Sequence, residues 1–278
     1  MPAMTTVPYQ IRCAEIWGGV NAKQDEIATP GVRAVIHSSA SGDERGGDLY
    51  YFSVCAYDTL TRFAIADVRG HGLAASQLSE WLYNSLESRM NDSNGGGVLE
   101  DLNDIVRRRG FEAITTAAIA TFHRDKGELY YCYAGHPPLM LGQLGQVWRE
   151  LPSPSTTGPT NLPLGVMLNA RYVQEKVVVA PGDRLFVYTD GVSECPTNGS
   201  DTDSELFGDK RMSAVLNEFK GCPLRESGQA IHDALLCHAG GQLTHDDCTF
   251  MFVEVLKPPP FWKRRILPGR GRVSLMRP

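Results

Sequence analysis

Five aspartates of this chain stand where apolar runs meet turns. Asp48 opens GGDLYYF, Asp67 ends FAIADV, Asp190 ends RLFVYTDGV, and the pair Asp246–Asp247 precedes CTFMFVEV. A carboxylate at the end of a buried strand is costly unless something pairs with it. Carboxylates gathered at such ends repel one another, and their pKa values rise until a cation neutralises them. Hard oxygen donors with no matching Cys/His set favour Mg²⁺ or Mn²⁺ over zinc. Glycines beside the acids would let backbone carbonyls and waters approach such ions closely. A single Asp-Gly is more often a plain turn; four acidic sites sharing one pattern are what point to metal.

The elements that must position these acids are legible in outline. Strand-like runs occur at 32–37, 49–57, 61–68, 114–122, 127–134, 172–180, 183–190 and 248–255, several with period-2 alternation. Leu73, Leu78, Leu82 and Leu86 recur about every four residues and predict a helix over 73–90, which NDSNGGG stops. Val98, Leu102, Ile105 and Val106 predict a second helix over 98–109, and two more fit within 209–238. Residues 142–163, rich in Gly, Pro, Ser and Thr, read as a loop. Antiparallel strands with helix pairs between them predict an α+β layered domain over 31–256. A polar leader, 1–30, would precede it, and a flexible tail, 257–278, would follow.

Charge and cysteine usage narrow the function classes. Seven Lys/Arg and no acid fall in 257–278, which leaves 20 basic against 32 acidic residues in 1–256. An acidic body is a poor nucleic-acid binder. The first twenty residues lack the basic start and apolar core of a signal peptide, and no run is long enough to span a membrane. The seven scattered cysteines contain no C-x-x-C and read as reduced thiols of a cytoplasmic protein. The basic tail, with Phe261, Trp262 and Ile266, would allow peripheral contact with an acidic surface such as lipid headgroups.

GGD (46–48), DVRGHG (67–72), AGHPP (134–138), LPLGV (162–166), GDRLFVYTDGVSE (182–194) and HDDCT (245–249) occur in an order that resembles the metal-dependent protein phosphatases. The resemblance is greatest to their SpoIIE branch, the bacterial serine/threonine phosphatases of sigma-factor partner switching. It covers residues 30–256 and implies two packed antiparallel sheets flanked by helices, with two Mn²⁺ or Mg²⁺ ions at one end. It further implies that Asp67 bridges both ions and that the Val68 carbonyl binds one. Asp190 and Asp246 would hold the ions from the far side, and Asp48 would complete the site directly or through water. Asp247 would be a further ligand or would orient Asp246; the sequence leaves both open.

Two such ions would lower the pKa of a bridging water and offset phosphoryl charge during in-line displacement, so no protein nucleophile is needed. The resemblance makes the substrate a phosphoserine- or phosphothreonine-bearing regulator of the anti-anti-sigma type, released on dephosphorylation to bind its anti-sigma kinase. His71 could act as general acid beside Asp67 and Asp190, or simply order the Gly-His-Gly turn. His136 reads as loop-ordering, His245 as a neighbour of an outer water, and Glu194 as support for the Asp190 loop or a surface acid. Arg69 could clamp phosphate, and segment 193–211 could form a flap that reads the partner. Two other classes compete. One is a partner-binding module of the same fold without turnover. The other is an HD-type phosphodiesterase using His71, His123, His136 and His245–Asp246.

Overall fold

The computed structural model describes residues 8–21, 23–41, 45–55, 57–70, 72–89, 92–153, 160–197 and 205–257. The predictions for His71, for 198–204 and for nearly all of the tail lie outside the described residues. The strands are Tyr9–Gln10 (β1), Ile16–Asn21 (β2), Lys23–Ala28 (β3), Val32–Ser39 (β4), Arg45–Cys55 (β5), Leu60–Val68 (β6), Thr115–His123 (β7), Glu128–Ala134 (β8), Met140–Gly142 (β9), Arg149–Glu150 (β10), Glu175–Val178 (β11), Arg184–Tyr188 (β12) and Cys248–Val255 (β13). The helices are Gly72–Glu87 (α1), Gly95–Arg109 (α2), Asp190–Ser193 (α3), Gly208–Glu218 (α4) and Leu224–His238 (α5).

One sheet has the order β1-β3-β4-β13-β12-β9-β10 and the other β11-β8-β7-β6-β5-β2. All pairings between these strands are antiparallel except β1 with β3. Strand alternation sorts the side chains into three apolar layers. Tyr50, Phe52, Phe63, Ile65, Val187, Met251 and Val253 fill the space between the sheets. Leu49, Ala64 and Ala66 point the other way, against Leu82 and Leu86 of α1 and Leu99 and Leu102 of α2. Val35, Phe186, Phe250 and Phe252 meet Met212, Leu216, Ile231 and Leu235 of α4 and α5. The result is the predicted α+β architecture of two packed sheets flanked by helices.

Three features differ from the sequence expectation. Residues 9–28, read as a leader, supply β1 and β3 to one sheet and β2 to the other. IWGGVN, which looks like a turn, is a strand: a Cβ on Gly18 would lie 2.1 Å from the Tyr50 carbonyl oxygen, so glycine permits its close pairing with β5. Leu73 is 70% exposed, so the buried face of α1 begins at Ala75 rather than at Leu73. The NDSNGGG stretch both ends α1 and starts α2, where the Asn94 side chain accepts the Gly97 N–H at 3.2 Å. Among the described residues no helix is long and apolar enough to cross a membrane.

Candidate metal centre

Alternation along four strands brings the acids to one end of the sandwich. Residues 50, 52 and 54 of β5 and 63 and 65 of β6 face the inter-sheet core. Two residues further along each strand, Asp48 and Asp67 therefore face the same space, and they are direct partners in the antiparallel register. Like charges placed opposite each other at about 5 Å between Cα atoms repel. From the other sheet, β12 runs inward through Leu185 and Val187 and delivers Thr189 and then Asp190. β13 starts beside it, directly after Asp246 and Asp247.

The acids grade from the interior to solvent. Asp48 is buried, Asp67 and Asp190 are half-buried, and Asp246 is exposed. Burial, and next the charge of Asp67, raises the Asp48 carboxyl well above the usual range. Asp67 is pushed up to about 8 by burial first, then by Asp190, Asp246, Asp247 and Glu194. Burial and the charge of Asp190 also raise Asp246 and Glu194. Five acids thus crowd Asp67 with too little positive charge among them.

Asp48 carries the clearest sign of an absent partner. The Thr189 hydroxyl donates to its Oδ2 at 2.9 Å, but Oδ1 is buried with no hydrogen-bond partner. The carbonyl oxygens of Val68 and Gly70 lie 2.7 and 2.9 Å from where a Cβ of Gly47 would be, so two further hard donors crowd the strand next to Asp48. An orphaned carboxylate oxygen, repelling acids and neighbouring carbonyls fit a hard divalent cation. Among the described residues, no three His, Cys, Asp or Glu side chains close around one point as a single-ion cage.

Asp247 differs from the other acids. It is buried, and its oxygens accept the backbone N–H groups of Ser41, at 2.8 Å, and Gly47. Its carboxyl would also meet a Cβ on Gly46, and its carbonyl a Cβ on Gly191. Gly46 and Gly191 thus admit Asp247, which ties the start of β5 and the Asp190 turn to the start of β13.

His136 is buried, with Nδ1 against the Pro137 carbonyl at 3.0 Å, and burial lowers its pKa to about 4, in keeping with a loop-ordering residue. His245 Nε2 bonds the Gly191 carbonyl at 2.9 Å and so fastens the Asp190 turn, while its Nδ1 has no hydrogen-bond partner. His123 pairs with Leu60 at the far end of β7, whereas Thr116 lies beside Asp67. The seven intervening steps span roughly 23 Å, so the HD-type arrangement does not assemble. Arg69 is exposed next to the acids, with its N–H bonded to the Ile114 carbonyl at 3.0 Å.

Two supporting residues escaped the sequence reading, although Thr189 stands inside a quoted stretch and Ser79 inside the predicted helix 73–90. Thr189 holds Asp48 and also accepts the Thr249 N–H at 3.1 Å, and Ser79 of α1 donates to the Gly47 carbonyl. Position was the available signal: Thr189 precedes Asp190, and Thr249 ends HDDCT. Thr189→Val leaves Asp48 without its hydroxyl donor at unchanged volume. We expect a loss of about 1–2 kcal/mol in urea unfolding, together with weaker Mn²⁺ binding measured by titration calorimetry.

The comparisons with known proteins agree with this fold. The sequence profile described as stage II sporulation protein E (SpoIIE) matches residues 57–256. The chain is 26% identical over 239 residues to phosphoserine phosphatase RsbU of Bacillus subtilis, covering 85% of this chain and 66% of RsbU. Among solved structures, it superposes on the SiaA PP2C domain of Pseudomonas aeruginosa with a TM-score of 0.68 and 19% identity, covering 80% of this chain and 85% of that one. The PP2C phosphatase domain of SpoIIE from Bacillus subtilis gives 0.60 and 18%, covering 88% of this chain and 64% of that one. With the profile spanning most of its length, the chain belongs to the SpoIIE family.

Proposed function

We propose that this protein is a metal-dependent serine/threonine phosphatase that hydrolyses phosphoserine or phosphothreonine on a regulatory protein partner. The observation that carries the proposal is the convergence of Asp48, Asp67, Asp190 and Asp246 at one end of the sandwich, with Asp48 Oδ1 buried and unpartnered. RsbU, a phosphoserine phosphatase that the chain resembles over most of this domain, supports the substrate class.

Asp67, the Val68 carbonyl, Asp190 and Asp246 are the proposed ligands of two Mn²⁺ or Mg²⁺ ions, with Asp48 completing the set directly or through water. Bound there, the ions would supply an activated water and neutralise phosphoryl charge. The chain's own residues prepare that chemistry. Thr189 fixes the Asp48 rotamer, and Asp247 holds the start of β5, the Asp190 turn and the start of β13 together. Arg69 is the exposed cation nearest Asp67 in sequence and would meet a phosphate from the solvent side. Asp247 acts in this proposal by positioning Asp246, since backbone N–H groups already engage its oxygens.

The partner would be a phosphorylated protein of the anti-anti-sigma type, and the proposed location is the cytoplasm. The test is turnover of p-nitrophenyl phosphate and of a phosphoserine-bearing regulator with Mn²⁺, with Mg²⁺ and after EDTA. We expect activity with either ion, loss with EDTA and recovery on adding Mn²⁺ back. A chain that binds the phosphoprotein but turns over neither substrate would instead be a partner-binding module.

A further inference from the structure

A second, chemically different group of donors lies on the outer face of the other sheet. His37 of β4 is 6% exposed, and its register partners are Gln24 of β3 on one side and Phe250 of β13 on the other. Phe250 stacks on the imidazole at 4.8 Å and 10°, which fixes the plane of the ring. His232 of α5 faces it across a cleft, with ring centres 5.4 Å apart. α5 can come this close because Gly228, one turn before His232, has no side chain: a Cβ there would lie 3.3 Å from His37 Nε2. The cleft measures about 30 Å³ and is lined also by Ser38, Ser39 and Cys248. Roughly 10–15 Å³ suffices for one water, so the space can take a bare or singly hydrated ion.

Both imidazoles lack a full complement of partners. His37 Nδ1 and His232 Nδ1 are buried with no hydrogen bond, although Asp233 Oδ1 lies 3.8 Å from the latter. Each unpaired ring nitrogen in such a place is a cost unless a ligand meets it. We infer that His37 and His232 form a binding site for a Zn²⁺ ion, separate from the acidic centre and bridging β4 to α5. Two imidazoles on one tetrahedral zinc, with each nitrogen about 2 Å from the ion, place their ring centres roughly 5 Å apart. The observed separation is of that size. Burial, helped by His232 and Arg225, lowers the His37 pKa to about 4, so its ring is already in the neutral form that ligates metal. No third His, Cys, Asp or Glu among the described residues closes on the same point. Waters or the neighbouring Gln24 oxygen would complete the shell, and the affinity is that of a two-ligand site. Nitrogen donors select zinc here, just as carboxylates select Mg²⁺ or Mn²⁺ at the other site.

That contrast makes the test independent of catalysis. Titration calorimetry with Zn²⁺ alone, in excess Mg²⁺ to load the acidic centre, is compared for the wild type, His37→Gln and His232→Gln. The wild type should show one Zn²⁺ step that each variant weakens at least tenfold, and thermal unfolding of the wild type alone should shift upward with one equivalent of Zn²⁺. His232 is partly exposed, so His232→Gln keeps the test valid if replacement of buried His37 impairs folding. An unchanged Zn²⁺ step and thermal shift in folded His232→Gln would overturn the site, and so would a wild type with no such step. The exposed thiols Cys13 and Cys237 remain in every variant and drop out of the comparison.

Discussion

Asp67→Asn should lower Mn²⁺-dependent turnover of p-nitrophenyl phosphate by about two to four orders of magnitude, in the range of losses for removing a central electrostatic group. Asp190→Asn should lie in the same range. Both proteins should stay folded, because among the described residues neither carboxylate accepts a buried backbone N–H as Asp247 does. Without metal, Asp67→Asn should even be more stable than the wild type above neutral pH. Asp67 faces Asp48 in register and lies within the field of Asp190, Asp246, Asp247 and Glu194, so neutralising it relieves repulsion on several sides.

The pH dependence gives that argument a sign. The Asp67 carboxyl titrates at about 8 in the folded chain and near 4, roughly, once unfolded. Between those values the folded state holds a proton that the unfolded state has lost. Stability of the metal-free protein should therefore fall as pH rises through that window, and flatten above it. Saturating Mn²⁺ should remove much of the slope, and Asp67→Asn should remove part of it without metal. Thermal unfolding from pH 5 to 9, with EDTA and with Mn²⁺, measures all three. Full activity in Asp67→Asn, or identical slopes with and without metal, would exclude Asp67 as a metal ligand.

The strands that carry the acids were readable as short apolar runs ending in an aspartate. FAIADV and LFVYTD are buried on both faces, and the alternation of those faces places Asp67, Thr189 and Asp247 toward the inter-sheet space. Helix α2 was equally plain, since Val98, Leu102 and Val106 are all buried. β3 was hidden because KQDEIA packs firmly only at its last two residues. β2 was hidden by Gly18 and Gly19, whose type suggests a turn although a close approach to β5 requires the first of them. β9 and β10 are three and two residues long, too short for any period to register. At the site, residue type gave the acids but could not separate Asp246 from Asp247. That distinction rests on Ser41 and Gly47, backbone donors some two hundred residues away in the chain. The His37–His232 pair is likewise invisible in sequence, because it depends on the register of β4 against α5.

Gly191→Ala should be among the most damaging small substitutions in the molecule. Its Cβ would lie 2.0 Å from the Asp247 carbonyl oxygen and 3.0 Å from the carbonyl carbon, both rigid backbone atoms at the start of β13. The clash can be relieved only by moving the Asp190 turn away from the Asp246–Asp247 turn. That displacement would also strain the His245–Gly191 hydrogen bond and the Thr189–Thr249 pairing behind Asp48. Overpacking of this kind costs about 1–3 kcal/mol. The loss in turnover should be larger than the stability change implies, at least tenfold, because separating Asp190 from Asp246 spoils ion placement in molecules that remain folded. Gly221→Ala is the matched control: a Cβ there meets nothing within 4 Å, and the backbone is not left-handed. It should leave both turnover and unfolding midpoint near wild type. Urea unfolding and Mn²⁺ titrations of turnover on the two variants separate the outcomes. If Gly191→Ala lowers stability but keeps wild-type turnover and Mn²⁺ affinity, the Asp190 and Asp246 turns do not form one centre.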